Sequence, residues 1–156
     1  RHGRNDVGKA LIDKMEIFDH QDENGYTALY MACFHKREEL ALALIDVMNY
    51  ADAATDNGNT PLIAACVNGL PNVVQSIIAS GCNINRRNTG GFTALSYAII
   101  MYRVECVKIL LMQSSVDLDL LYSCNGRFLN AVDMALDADL DDIASLIRQA
   151  VDRRMN

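Results

Sequence analysis

The chain has fewer cations than anions and lacks the short motifs that announce catalysis. Lys and Arg number 14 against 20 Asp and Glu, a formal net charge of −6. That sign argues against non-specific nucleic-acid binding, which needs clustered cations on the phosphates. No apolar run approaches the roughly 18 to 20 residues that span a bilayer, so no membrane insertion is expected. No charged start leads into an apolar stretch, so no signal peptide is read. The cysteine count is odd, and Cys33, Cys66, Cys82, Cys106 and Cys124 form no Cys-x-x-Cys pair. With no Asn-x-Ser/Thr sequon, this reads as reduced thiols in an intracellular protein, cytoplasmic or nuclear.

Catalytic signatures are also missing: no Gly-rich phosphate loop ending in Lys-Ser/Thr, no His-Glu-x-x-His and no Gly-x-Ser-x-Gly. Histidine occurs three times, at His2, His20 and His35. Cys33 precedes His35 by two positions, which on a helix sends the two side chains to different faces. We therefore expect no metal site, no cofactor and no enzyme activity. The aspartates Asp133, Asp137, Asp139, Asp141 and Asp142 lack the ordered spacing and glycine of a calcium loop. They read instead as a solvated surface, with Asp141 and Asp142 favourably near a helix N-terminus.

What is present is a period. Thr27, Thr60 and Thr93 are 33 residues apart, each inside one phrase: Gly25-Tyr26-Thr27-Ala28-Leu29, Gly58-Asn59-Thr60-Pro61-Leu62 and Gly91-Phe92-Thr93-Ala94-Leu95. Each threonine suits a helix N-cap, and Pro61 suits a first helical position. The glycines two residues earlier suit a tight turn with positive φ. Leu29 with Ala32, Leu62 with Ala65 and Leu95 with Ala98 mark one buried face of a short helix. A second, longer helix follows each: Leu40, Ala41, Leu44 and Ile45; then Val73, Val74, Ile77 and Ile78; then Cys106, Val107, Leu110 and Leu111. Cys33, Cys66 and Cys106 fall at packing positions and read as core. Cys124 falls in a loop and is the thiol to test for reactivity.

A 33-residue period with Gly-x-Thr-Pro/Ala-Leu-x-x-Ala resembles the ankyrin repeat. Gly81-Cys82-Asn83-Ile84-Asn85 is similar to that family's Gly-Ala-Asp-Val-Asn ending. The resemblance implies an all-α solenoid of stacked helix-turn-helix units with hairpin-like loops. We divide its single domain, residues 1–156, into a partial N-terminal repeat (1–22), repeats at 23–55, 56–88 and 89–125, and a C-terminal capping repeat (126–156). Gly3 to Ile12 resembles an outer helix without its inner partner, so we read the amino end as cut from a longer protein. In the last repeat Asn130 replaces the capping threonine, 37 residues after Thr93. The extra residues fall between Ser114 and Leu129, read as length tolerance in preference to a functional insertion.

Two departures matter. The family's histidine after the leucine is replaced by Tyr30, Ile63, Ser96 and Asp133, which puts its ties between neighbouring loops in doubt. The inter-helix glycine survives only as Gly69, with Lys36, Tyr102 and Asp139 in its place, so those turns are expected to be strained.

The resemblance implies a non-catalytic protein–protein interaction module: a scaffold, adaptor or inhibitor that binds a protein or peptide through its concave face. A regulatory or targeting part of a larger enzyme, channel or secreted effector is the alternative. The repeat register places Tyr26, Asn59 and Phe92 before the caps. It places Phe34, His35, Asn68 and Met101 at inner-helix ends, and Tyr102 and Arg103 in the third turn. These nine are the expected partner-binding residues, since aromatic and Arg side chains anchor interfaces. In some members of the family an asparagine placed like Asn85 is hydroxylated; the other reading is that Asn85 only stabilises its turn.

Overall fold

The computed structural model describes residues 20–47, 51–124 and 126–155, with the side chain of Cys124 outside the description. The expected outer helix between Gly3 and Ile12 lies outside the described residues. Within them the chain forms four helix pairs. They are α1 (Ala28–Phe34) with α2 (Glu38–Val47), α3 (Pro61–Asn68) with α4 (Pro71–Ala79), and α5 (Ala94–Ile100) with α6 (Val104–Leu111). The fourth is α7 (Ala131–Asp137) with α8 (Asp141–Met155), preceded by a hairpin of β1 (Tyr122–Cys124) and β2 (Arg127–Leu129). The inner helices α1, α3, α5 and α7 stack in one layer; α2, α4, α6 and α8 stack in a second. The result is an open two-layered solenoid.

Each inner helix starts where the repeated phrase places it. Thr27 Oγ1 accepts from the Tyr30 N–H at 3.1 Å, Thr60 Oγ1 from Ile63 at 3.1 Å and Asn130 Oδ1 from Asp133 at 2.9 Å. These bonds satisfy first-turn donors that a helix cannot pair internally. Thr93 goes further: Ser96 Oγ accepts the Thr93 N–H at 2.9 Å, completing a reciprocal capping box.

Each inner helix also stops the same way. The Lys36 N–H donates to the Cys33 carbonyl and the Arg37 N–H to the Ala32 carbonyl. Residues 69–70, 102–103 and 139–140 repeat that pair of bonds. The geometry needs a left-handed residue. Gly69 supplies it at φ 68°, while Lys36, Tyr102 and Asp139 adopt 56°, 51° and 56°. The strain expected at these three turns is therefore present, at about 1–2 kcal/mol each.

Between the layers lies one continuous core. The inner-face pairs Leu29/Ala32, Leu62/Ala65 and Leu95/Ala98 are buried, as are Cys33, Cys66 and Cys106. The outer stripes Val73, Val74, Ile77 and Cys106, Val107, Leu110 are buried too. Leu40 differs from expectation. It matches Val73 in the repeat yet is 45% exposed. Among the described residues α2 has an outer-layer neighbour on one side only, α4, whereas α4 lies between α2 and α6.

The loops that enter the inner helices are tight turns joined in series. In each, one N–H reaches a carbonyl four residues on: Asp22 to Tyr26, Thr55 to Asn59, Asn88 to Phe92. The next loop then donates back, Asp56 N–H to Asn24 O and Thr89 N–H to Asn57 O. At Gly58 a Cβ would lie 2.9 Å from the Asn88 Cα, so only glycine admits the neighbouring loop. The missing histidines are thus replaced. Backbone bonds tie the loops, and Gln21 Nε2 adds bonds to Gly25 O and Ala54 O. Arg87, two periods later, does the same with Gly91 O and Leu121 O.

Candidate partner-binding surface

The inner helices α1, α3 and α5 contain no Asp, Glu, Lys or Arg. On α1 the exposed residues are Ala28, Met31, Phe34, spaced by three, so they form one stripe along the helix. Met31 is 38% exposed and Phe34 53%. On α5 the matching end exposes Ile100 at 48%, and the following residue Met101 is 41% exposed. Between them α3 contributes half-buried Val67 and Asn68.

The nine expected partner-binding residues divide into two groups. Phe34, His35, Met101 and Tyr102 are exposed. The Tyr102 hydroxyl donates to Asp142 Oδ2 at 2.8 Å, and that carboxylate pushes the phenol above its ordinary pKa. Tyr26, Asn59, Asn68, Phe92 and Arg103 are half-buried and engaged within the chain. Asn68 Nδ2 donates to the carbonyls of Cys33 and Phe34, closing the end of α1 from the next pair. Arg103 Nε donates to Val67 O at 3.0 Å, an equivalent tie one pair along. Asn59 Oδ1 accepts from Asn88 Nδ2 at 2.9 Å.

Two aromatic groups frame the small residues of α3. Tyr26, Tyr30 and Phe34 follow in a row, the first two rings tilted at 5.3 Å and the last two stacked at 6.2 Å between centroids. Two pairs on, Phe92 lies 5.6 Å from Tyr97 and stacks on Tyr122 at 6.2 Å and 9°. Arg87 covers the Tyr122 ring at 5.6 Å, a cation–π contact. The Tyr122 hydroxyl is 2.9 Å from Thr93 Oγ1, so the ring is fixed at both ends. Met31, Tyr97 and Tyr122 are absent from the sequence-based list. Met31 was findable, lying three residues before Phe34; Tyr122 was not, since the irregular loop carries no repeat register.

A cleft of about 260 Å³ opens where α3 and α5 turn into the outer layer, beside Tyr102 and Arg103 of this surface. It is lined by Gly69, Pro71, Tyr102, Arg103, Val104, Glu105 and Cys106. Of the free thiols Cys33, Cys66 and Cys106 are buried and Cys82 is half-buried. Burial pushes Cys33 up to about 12 and Cys82 up to about 11. The Cys66 thiol bonds to Cys106, which raises Cys66 and lowers Cys106; the Arg103 charge lowers Cys106 further. Among the described residues no group of His, Cys, Asp and Glu could hold a metal ion, and no helix is long and apolar enough to cross a membrane.

Asn85 has both ends of its amide occupied across two pairs. Its Nδ2 donates to Ser115 O at 2.7 Å and its Oδ1 accepts from Asp117 N–H at 2.8 Å. The side chain thus ties its own turn to the next connection.

No curated protein matches the chain. A family model described as ankyrin repeats (3 copies) matches residues 48–122, and one described as ankyrin repeats (many copies) matches residues 1–45. Ankyrin repeats are generally protein–protein interaction modules and typically lack catalytic activity. With its threonine-capped inner helices, finger-like turns and stacked pairs, the chain belongs to the ankyrin-repeat family.

Proposed function

We propose that the chain is a recognition module, a scaffold, adaptor or inhibitor, that binds a protein partner across the exposed faces of α1, α3 and α5. The observation that carries this is the uncharged row of large apolar side chains there, Met31, Phe34, Ile100 and Met101, each more than a third exposed. Isolated exposed hydrophobics need no explanation, but Phe34 and Ile100 hold one repeat position on α1 and α5, with half-buried Val67 at that position on α3 between them and Met31 and Met101 beside them, which makes a patch. Asn68 and Arg103 hold the helix ends in register, so the row is rigid before any partner arrives. His35 and Tyr102 border it with polar tips suited to an interface rim.

Phe34→Glu with Ile100→Glu tests the reading, because both side chains are exposed; Phe34 also stacks on buried Tyr30, so the melts establish that the variant is folded. Affinity capture from lysate with wild type and variant, after matched thermal melts, is the measurement. A protein retained by wild type and lost from the variant supports the assignment. Equal retention by both moves the binding surface elsewhere. Phe92 is unsuitable for this test, since its stacking on Tyr122 makes a charge there a folding defect.

A further inference from the structure

The charge of this chain is not spread along it. Residues 117–142 hold seven of the 20 carboxylates and one of the 14 Lys and Arg residues, so the rest of the chain is balanced at 13 of each sign. The whole net charge therefore sits on the hairpin, its approach and the start of the last helix pair. Asp117, Asp119, Asp133, Asp139 and Asp141 are exposed. The single cation, Arg127, is already paired with Asp137 at 2.8 Å.

The hairpin inside this acidic segment presents an unpartnered apolar face. Register pairs Tyr122 with Leu129 and Ser123 with Phe128. The first pair is buried, at 1% and 4%, and the pleat turns the second the other way. Phe128 is 72% exposed and Leu121, one residue before buried Tyr122, is 52% exposed. Their positions in the register are diagonal, a spacing that one bulky side chain can bridge. The face is held firmly: Arg87 grips the Leu121 carbonyl, Tyr122 is locked under Phe92, and Arg127 ties β2 to α7.

We propose that this hairpin face is a second docking surface, separate from the inner-helix row, for a Lys/Arg-rich segment that carries a bulky apolar anchor. Leu121 and Phe128 receive the anchor, and the surrounding aspartates receive the cations. Charge selects the occupant. Nucleic acid and anionic lipid are repelled by the same carboxylates. Another helix pair stacked on α7 would bring Asp133 and Asp137 towards a dry interface, whereas α1, α3 and α5 bring no charge to theirs. A cationic segment instead pairs with these groups, at a rate and affinity that fall with salt.

The test is fluorescence anisotropy of a labelled synthetic peptide of repeated Lys-Leu-Lys triplets, beside Lys-Ser-Lys and Glu-Leu-Glu controls. The Lys-Leu-Lys peptide is expected to bind, to weaken as salt rises, and to exceed both controls by at least about tenfold. Leu121→Ser with Phe128→Ser, checked for an unchanged melt, is expected to lose at least about tenfold in affinity. Phe34→Ser with Ile100→Ser is expected to lose nothing, which separates this proposal from the inner-helix reading. Equal binding of the Lys-Ser-Lys peptide overturns it, since diffuse charge then suffices. So does undiminished binding by the hairpin variant, loss of binding in the Phe34 variant, or self-association of the chain that Phe128→Ser abolishes.

Discussion

In the second helix pair Thr60 caps α3, Pro61 opens it and Gly69 turns it; in the fourth, Asn130, Ala131 and Asp139 take the same places. The backbone barely registers the exchange, because both turns close with the same two hydrogen bonds. The surfaces diverge. Pro61 through Cys66 are all buried, whereas α7 exposes Asp133, Leu136 and Asp137. Backbone plan in this fold is set by a few capping and turning positions, and the side chains between them are free to set what each pair meets.

Core positions should show the difference most sharply. Ile99 and Leu136 stand at one place, six residues after their caps, at 0% and 37% exposure. Ile99→Ala is expected to cost about 3 kcal/mol, because it empties a packed site between α5 and α7. Leu136→Ala is expected to cost less than about 1 kcal/mol. Urea unfolding of both variants makes the comparison, and equal losses would mean that α7 is as deeply packed as α5.

The caps come next. Thr93 Oγ1 accepts from the first turn of α5 and also bonds the buried Tyr122 hydroxyl, while Asn130 Oδ1 accepts from α7 alone. Thr93→Ala therefore strands a buried phenol and is expected to cost about 2 kcal/mol, against about 1 kcal/mol for Asn130→Ala. Thermal melts that rank them the other way would show that the Tyr122 bond adds no stability.

Most of the fold was legible before any coordinates. Thr27, Thr60, Thr93 and Asn130 announce helix starts because a capping oxygen works through local geometry alone. Strain at Lys36, Tyr102 and Asp139 was readable too, because each stands where the family carries a glycine. The surface was less legible. Phe34 and Phe92 look alike in sequence, yet Phe34 is exposed and Phe92 lies under Tyr122, a residue of the irregular loop. Hairpin-like loops were expected, but the place and register of this hairpin were not readable, because residues 114–129 depart from the 33-residue period. Leu40 was assigned to the core from its spacing, which cannot report whether a neighbouring layer covers it.

The turns allow a smaller, opposed pair of changes. At Gly69 an added Cβ would lie 2.9 Å from Arg103 Cδ, whose Nε holds Val67 O. Gly69→Ala is expected to destabilise by about 1–2 kcal/mol, the left-handed cost. Asp139 already bears that cost, so Asp139→Gly is expected to stabilise by about 0.5–1 kcal/mol. Opposite shifts in melting temperature support the account; shifts of one sign would place the effect in side-chain contacts instead.

The smallest effect concerns Asp52 and Asn85, which hold the same place 33 residues apart. Each accepts an N–H from the following stretch, Asn83 at 3.2 Å and Asp117 at 2.8 Å. Asn85 uses its second amide atom on Ser115 O, but Asp52 Oδ1 is buried with no partner. Burial raises the Asp52 carboxyl above its ordinary value, and the Asn83 N–H and Arg86 only partly oppose it. A carboxyl raised in the folded state opposes folding when ionised. Stability should therefore rise as pH falls through the folded pKa towards the ordinary Asp range. Asp52→Asn removes the charge and is expected to stabilise by roughly 0.5–1 kcal/mol at neutral pH. The gain should shrink as the solution is acidified and wild-type Asp52 protonates. A gain that stays constant from neutral to acidic pH would mean that charge burial is not what separates Asp52 from Asn85.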